Sequence, residues 1–228
     1  MEIDVKDRNV LLVGNSVELM RNSFGRWIDL QDYVVRFGKG ATLPDNKVQI
    51  GSKMDCWVTG SLRWRYAVTN KNDPHRGWPD FPLDKIPVLY NRCRINLSKP
   101  IEDDIKIDHT VMWSDEELLE LFEEFGVKNN TRMDRRPSNG FLTILYFTRK
   151  LTNWRTLTLI GFDFFAKKYD KKSGRAFPTS WYKPINTITY SPHNTDTERR
   201  YVRKLQREGV LTWQILSNLK EELIHERE

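Results

Sequence analysis

The residues best suited to chemistry fall in a few short blocks. His193 stands two residues ahead of Thr195-Asp196-Thr197-Glu198, a capping-box pattern that predicts a helix start. The positive end of a helix dipole disfavours an imidazolium, so this placement predicts a neutral ring able to take a proton from a hydroxyl, as a general base must. A histidine just before a helix equally suits a structural or exposed position. Glu198 is accounted for by the capping box alone, or by a charge that orients the site. Asp163 closes the apolar run Leu157-Thr158-Leu159-Ile160 followed by Gly161-Phe162, a predicted strand end, and is a rival base.

Gly14-Asn15-Ser16 follows another apolar run and precedes a predicted helix. Such a turn offers backbone N–H groups and a helix N-terminus to an anion such as a nucleotide phosphate. A plain glycine turn with an Asn or Ser cap reads the same way. Neither the GxGxxG spacing nor a GKS or GKT ending is present, which disfavours a dinucleotide-dependent dehydrogenase and a P-loop ATPase. Arg63, Trp64, Arg65, Tyr66, Arg76 and Trp78 could stack on bases and neutralise phosphates, stack on sugars, or supply core aromatics beside solvated arginines. Lys167, Lys168, Lys171, Lys172 and Arg175 form a second basic patch. No acidic pair with metal-binding geometry stands out, so no metal is expected.

The elements that must hold these residues alternate strand and helix. Strands are predicted at Asn9–Val13, Tyr33–Phe37, Met54–Thr59, Val88–Tyr90, Val111–Trp113, Leu157–Ile160 and Val210–Ile215. Helices are predicted over Val17–Leu30, with Asn15 or Ser16 as N-cap, from the Ser114 capping box to Gly126, over Phe141–Leu151, from Thr195 to Gly209, and over Ser217–Glu228. This order predicts an α/β fold, an open and mostly parallel sheet flanked by helices in a single domain spanning 1–228. Mobile loops are expected at 61–80 and 167–192, where periodicity gives way to Gly, Pro and charge.

Composition sets the outer limits. The 228 residues are 39% hydrophobic, enough for a core, and exclude disorder as a whole-chain description. Lys and Arg number 37 against 31 Asp and Glu, a net charge of +6 that suits an anionic partner without specifying it. No run approaches the roughly 18 apolar residues of a membrane span, and no signal core follows the amino terminus, so a cytoplasmic protein is expected. Cys56 and Cys93, with no CxxC pair or His cluster, read as ordinary reduced thiols.

Three of these blocks, in order, resemble the sialyl motifs of the sialyltransferase family of glycosyltransferases. The long motif is similar to Val13-Gly14-Asn15-Ser16 with Leu19, Ser23, Gly25, Ile28-Asp29, Asp32, Val34 and Arg36. The short motif resembles Arg136-Pro137-Ser138-Asn139-Gly140 with Leu142, then Gly161-Phe162. The very short motif, a His and a Glu separated by four residues, resembles His193 to Glu198. Where the family carries Asn two positions after the long-motif Arg, this chain has Gly38. Neither of the first two blocks contains the Cys that ties them in the family, and Trp181-Tyr182-Lys183 lacks the His that the family sets beside Tyr.

The resemblance implies a Rossmann-like glycosyltransferase fold and metal-independent transfer from a CMP- or UDP-linked sugar. It implies donor contacts at Gly14, Asn15, Ser16, Arg36, Ser138, Asn139, Gly140 and Tyr182, with His193 as general base and Glu198 beside it. The basic balance and the missing membrane anchor favour a nucleic-acid acceptor, with Arg63, Trp64, Arg65, Trp78 and Lys168 as its contacts. Phage enzymes that glycosylate 5-hydroxymethylcytosine in DNA fit this description, with arabinose as a candidate sugar. Transfer of sialic acid to a glycan, and a non-catalytic nucleic-acid-binding module, remain the alternatives.

Overall fold

The computed structural model describes residues 2–16, 19, 22–38, 47–60, 85–91, 109–125, 137–162, 164 and 195–214. The expected loops at 61–80 and 167–192 and the terminal helix at 217–228 lie outside them. Seven strands form one sheet: β1 (Asn9–Val13), β2 (Tyr33–Phe37), β3 (Cys56–Gly60), β4 (Val88–Asn91), β5 (Thr110–Val111), β6 (Thr156–Ile160) and β7 (Thr212–Gln214). Their order is β5-β4-β3-β2-β1-β6-β7, and every neighbouring pair is parallel. Strands of such a sheet are covered on both faces, which is why β1, β2 and β3 read as nearly unbroken apolar runs.

Alternate side chains feed two cores. Val10, Leu12, Val35 and Val58 face helices α3 (Asp115–Glu124), α4 (Asn139–Arg149) and α5 (Thr195–Arg207). Leu11, Val13, Val34 and Ile160 face Leu19 and the short helices α1 (Gly25–Asp29) and α2 (Lys47–Ile50). Leu11, Leu12, Leu89 and Leu159 are all 0% exposed, and each such side chain stabilises the fold by about 1.5–3 kcal/mol. The central strands therefore anchor the sheet, and the short edge strands β5 and β7 follow.

Several predicted bounds shift for local reasons. Of the helix predicted over Val17–Leu30, α1 is described from Gly25 to Asp29, and its N-cap is Phe24, with no side-chain cap. Upstream, the Ser16 amide is drawn to the Gly161 carbonyl at 3.0 Å, and the Leu19 and Asn22 amides reach back only three residues, to Ser16 and Leu19. Leu19, Phe24 and Ile28 still reach the core. β3 starts at Cys56 because the Asp55 carboxylate accepts from the Val34 amide at 2.8 Å and ends the ladder there. β5 stops at Val111, after which the chain turns into the Ser114 capping box, present as expected with both reciprocal bonds.

Candidate functional site

From β1 the chain steps outward through β2, β3, β4 and β5, then crosses back to place β6 on the other side of β1. The crevice at the carboxyl ends of β1 and β6 is the switch point where open α/β sheets bind ligands. Gly14 ends β1 there, and its amide donates to the Ile160 carbonyl at 2.8 Å. A Cβ at Gly14 would run into the Gly161 carbonyl, and Gly161 itself adopts φ +72, so this close backbone approach requires glycine on both sides. Two of the turn's amides, Gly14 and Ser16, are thus spent on the sheet. The Leu19 amide reaches back to the Ser16 carbonyl at 3.2 Å, so a 3₁₀ turn follows the Gly14-Asn15-Ser16 turn. Asn15 is half-buried, and its Nδ2–H donates to the Phe37 carbonyl at 3.2 Å, setting its side chain across the end of β2.

The first turn of α4 brings the second block to the same edge. Ser138 is its N-cap, with Oγ accepting from the Phe141 amide at 3.1 Å. Gly140 lies against the Phe162 ring, which a Cβ would meet at 2.9 Å, and Phe162 packs edge-on against Phe37 with centroids 5.5 Å apart. Asn139 Oδ1 accepts from Asn91 Nδ2–H at 2.7 Å, which joins α4 to the last residue of β4.

Glu198, in the first turn of α5, is 1% exposed. Its carboxylate does not serve a local capping box. Oε1 accepts from the Ser138 amide at 2.7 Å and Oε2 from the Ser138 hydroxyl at 2.8 Å, across 60 residues of sequence. Burial pushes this carboxyl up to about 7, against the lowering effect of the two Ser138 bonds. Near neutral pH both forms are populated, and the protonated form can donate to Ser138 Oγ in place of accepting from it.

Arg36 is placed elsewhere. It is 2% exposed on the α1–α2 face, where Nε donates to the Lys53 carbonyl at 2.7 Å and Nη2 to the Ile50 carbonyl at 2.5 Å. Burial lowers its pKa to about 10, with Asp29 and Asp55 opposing, so it stays charged at neutral pH. In this position it holds the end of α2. His193, Asp163, Tyr182, Arg63, Trp64, Arg65, Trp78 and Lys168 lie outside the described residues. Among the described residues no group of three or more His, Cys, Asp or Glu converges, and no helix is long and apolar enough to cross a membrane.

No family model matches the chain, and no curated protein matches it. Solved structures do. The sialyltransferase CstII from Campylobacter jejuni, in complex with cytidine-5'-monophosphate, superposes with a TM-score of 0.55 at 13% identity, over 93% of this chain and 81% of that one. A mammalian sialyltransferase in complex with Gal-beta-1-3GalNAc-ortho-nitrophenol gives 0.50 at 16% identity, over 91% and 69%. The fold is that of the sialyltransferases.

Within the sialyltransferase fold, most of the long block is framework. Gly25 packs against the α2 backbone, and Ile28 fills the core. Asp29 accepts from the Ser52 and Lys53 amides, each at 2.8 Å, and Asp32 from the Asn9 amide at 2.9 Å. Only its first residues reach the carboxyl edge. The sequence reading missed Asn91, for which the available signal was a polar residue ending a buried strand, Val88-Leu89-Tyr90-Asn91.

Proposed function

We propose that the chain is a nucleotide-sugar-dependent glycosyltransferase of the sialyltransferase type, with the donor at the β1–β6 switch point. One observation carries this. The Glu198–Ser138 bridge draws the short and very short blocks together at the edge where Gly14-Asn15 and Gly161-Phe162 also end. A fold shared with a sialyltransferase holding CMP favours a CMP-linked donor over a UDP-linked one. In this reading Asn15, Asn139 and Gly140 line the donor pocket, and Ser138 is set by Glu198. His193, two residues before α5, takes the proton from the acceptor hydroxyl. The hydroxyl oxygen bonds to the anomeric carbon as the bond from that carbon to the nucleotide phosphate breaks, and the nucleotide departs with the electron pair. Asp163 is the rival for the base.

A glycan acceptor is the reading that the fold favours, since a neighbour was solved with Gal-beta-1-3GalNAc-ortho-nitrophenol. The finer reading, 5-hydroxymethylcytosine in DNA, with arabinose, rests on the net charge of +6 and on the Arg63 to Trp78 run. CMP- and UDP-sugars are to be incubated with oligosaccharides, plain DNA and 5-hydroxymethylcytosine DNA, and the products weighed. The expected outcome is a gain of one sugar residue on one acceptor. His193→Ala should lower turnover on the order of 10²–10⁴-fold with donor binding retained. Absence of both nucleotide binding and transfer across the panel overturns the proposal.

A further inference from the structure

We infer that Asn91 is a donor-subsite residue whose carboxamide oxygen takes a hydrogen bond from an N–H or O–H group of the nucleotide, not from water and not beside a phosphate. The inference rests on the donor site proposed above and names a contact within it. Asn91 is the last residue of β4, in register with Gly60 at the end of β3, where no side chain occupies the neighbouring position. It is 1% exposed, and its Nδ2–H is committed to Asn139 Oδ1 at 2.7 Å in the first turn of α4. The two ends of a carboxamide point apart, so Oδ1 is directed away from Asn139, and among the described residues it has no hydrogen-bond partner.

A buried unpaired acceptor is costly, and native structures keep few of them. Location separates this one from a packing fault. The Thr59 hydroxyl, also unpartnered among the described residues and 0% exposed, precedes Gly60 on β3 and projects from the opposite face of the sheet, away from α4. The third such atom, the Tyr33 hydroxyl, lies at the opposite end of the sheet against the Cys56 thiol. Among the described residues, Asn91 Oδ1 is therefore the orphaned polar atom beside the helix turn that carries the donor block. The sign of the group decides what it meets: a carboxamide oxygen repels phosphate oxygens and accepts from donors. A cytidine nucleotide carries two kinds of donor, ribose hydroxyls and the cytosine 4-amino group, whereas uracil presents an oxygen in place of that amine.

The test titrates CMP, UMP and 2′-deoxy-CMP into the wild-type chain and Asn91→Leu, with melting temperatures taken without ligand. Leucine shares the branched shape of asparagine and deletes the orphaned oxygen, together with the Nδ2–H bond to Asn139. The expected result is a CMP dissociation constant raised about tenfold or more, with a melting temperature lowered by no more than the few degrees that one lost hydrogen bond costs. If Asn91→Leu no longer distinguishes CMP from UMP, the partner is the amine. If it no longer distinguishes CMP from 2′-deoxy-CMP, the partner is the ribose hydroxyl. Unchanged CMP affinity, or affinity lost in step with melting temperature, overturns the inference while leaving the donor site standing. A wild-type chain that binds none of the three overturns the donor site itself. Should Asn91→Leu not fold, the Asn91 side-chain amide resonance is followed in wild-type protein during a CMP titration: a shift supports the contact, and an unmoved resonance overturns it.

Discussion

Glu198 couples the site to pH through one buried carboxyl. Folding raises its value from the ordinary 4.5 to about 7, so the folded chain holds this proton more tightly than the unfolded one. The group's contribution to stability is complete below 4.5 and is lost as pH climbs towards 7. Glu198→Gln imitates the protonated form and still accepts from the Ser138 amide. It should therefore match the wild type in stability near pH 4 and exceed it at pH 8, by up to a few kcal/mol. Hydrogen bonds from Lys150 and Arg149 lower the values of Glu117 and Glu124, which act in the opposite sense as pH falls. The wild-type-minus-variant difference in denaturant melts at the two pH values isolates Glu198. A variant less stable than wild type at pH 8 would contradict this account.

Among the elements, α3 and α4 are both capped by serine, but the two caps do different work. Ser114 closes an exposed local box with Glu117, and Ser114→Ala should cost about 1 kcal/mol. Ser138 caps α4 and also supplies both donors to buried Glu198, so Ser138→Ala loses the cap and the hydroxyl donor to Oε2 while the backbone amide still serves Oε1, a further cost of about 1–3 kcal/mol. Thermal melts of the two variants should differ by roughly 2–4 °C per kcal/mol for a chain of this size. Equal melting temperatures would mean that Glu198 finds another partner.

At the scale of the whole molecule, sheet order places the crevice and net charge bears on the acceptor. If a nucleic acid occupies the acceptor side, log affinity should fall linearly with log salt, with a slope near −0.9 for each duplex phosphate neutralised. A neutral oligosaccharide should bind with almost no salt dependence. Acceptor titrations between low and physiological salt separate the two, and a flat response with DNA would remove the 5-hydroxymethylcytosine reading.

Local pattern was enough for the strands, for the Ser114 cap and for the α/β class. A parallel strand buried on both faces must be a short unbroken apolar run, and a capping box closes within four residues. The partner of Glu198 was not legible, because a Glu three residues after a Thr satisfies the local rule whether or not the carboxylate turns elsewhere. Nor was the destination of Arg36, whose face depends on the strand alternation and on which helix covers that side. Asn91 meets Asn139 only because β4 lies where α4 begins. Sheet order brings residues 60 apart within hydrogen-bond reach, and that order arises from long-range pairing and burial that no single window of sequence contains.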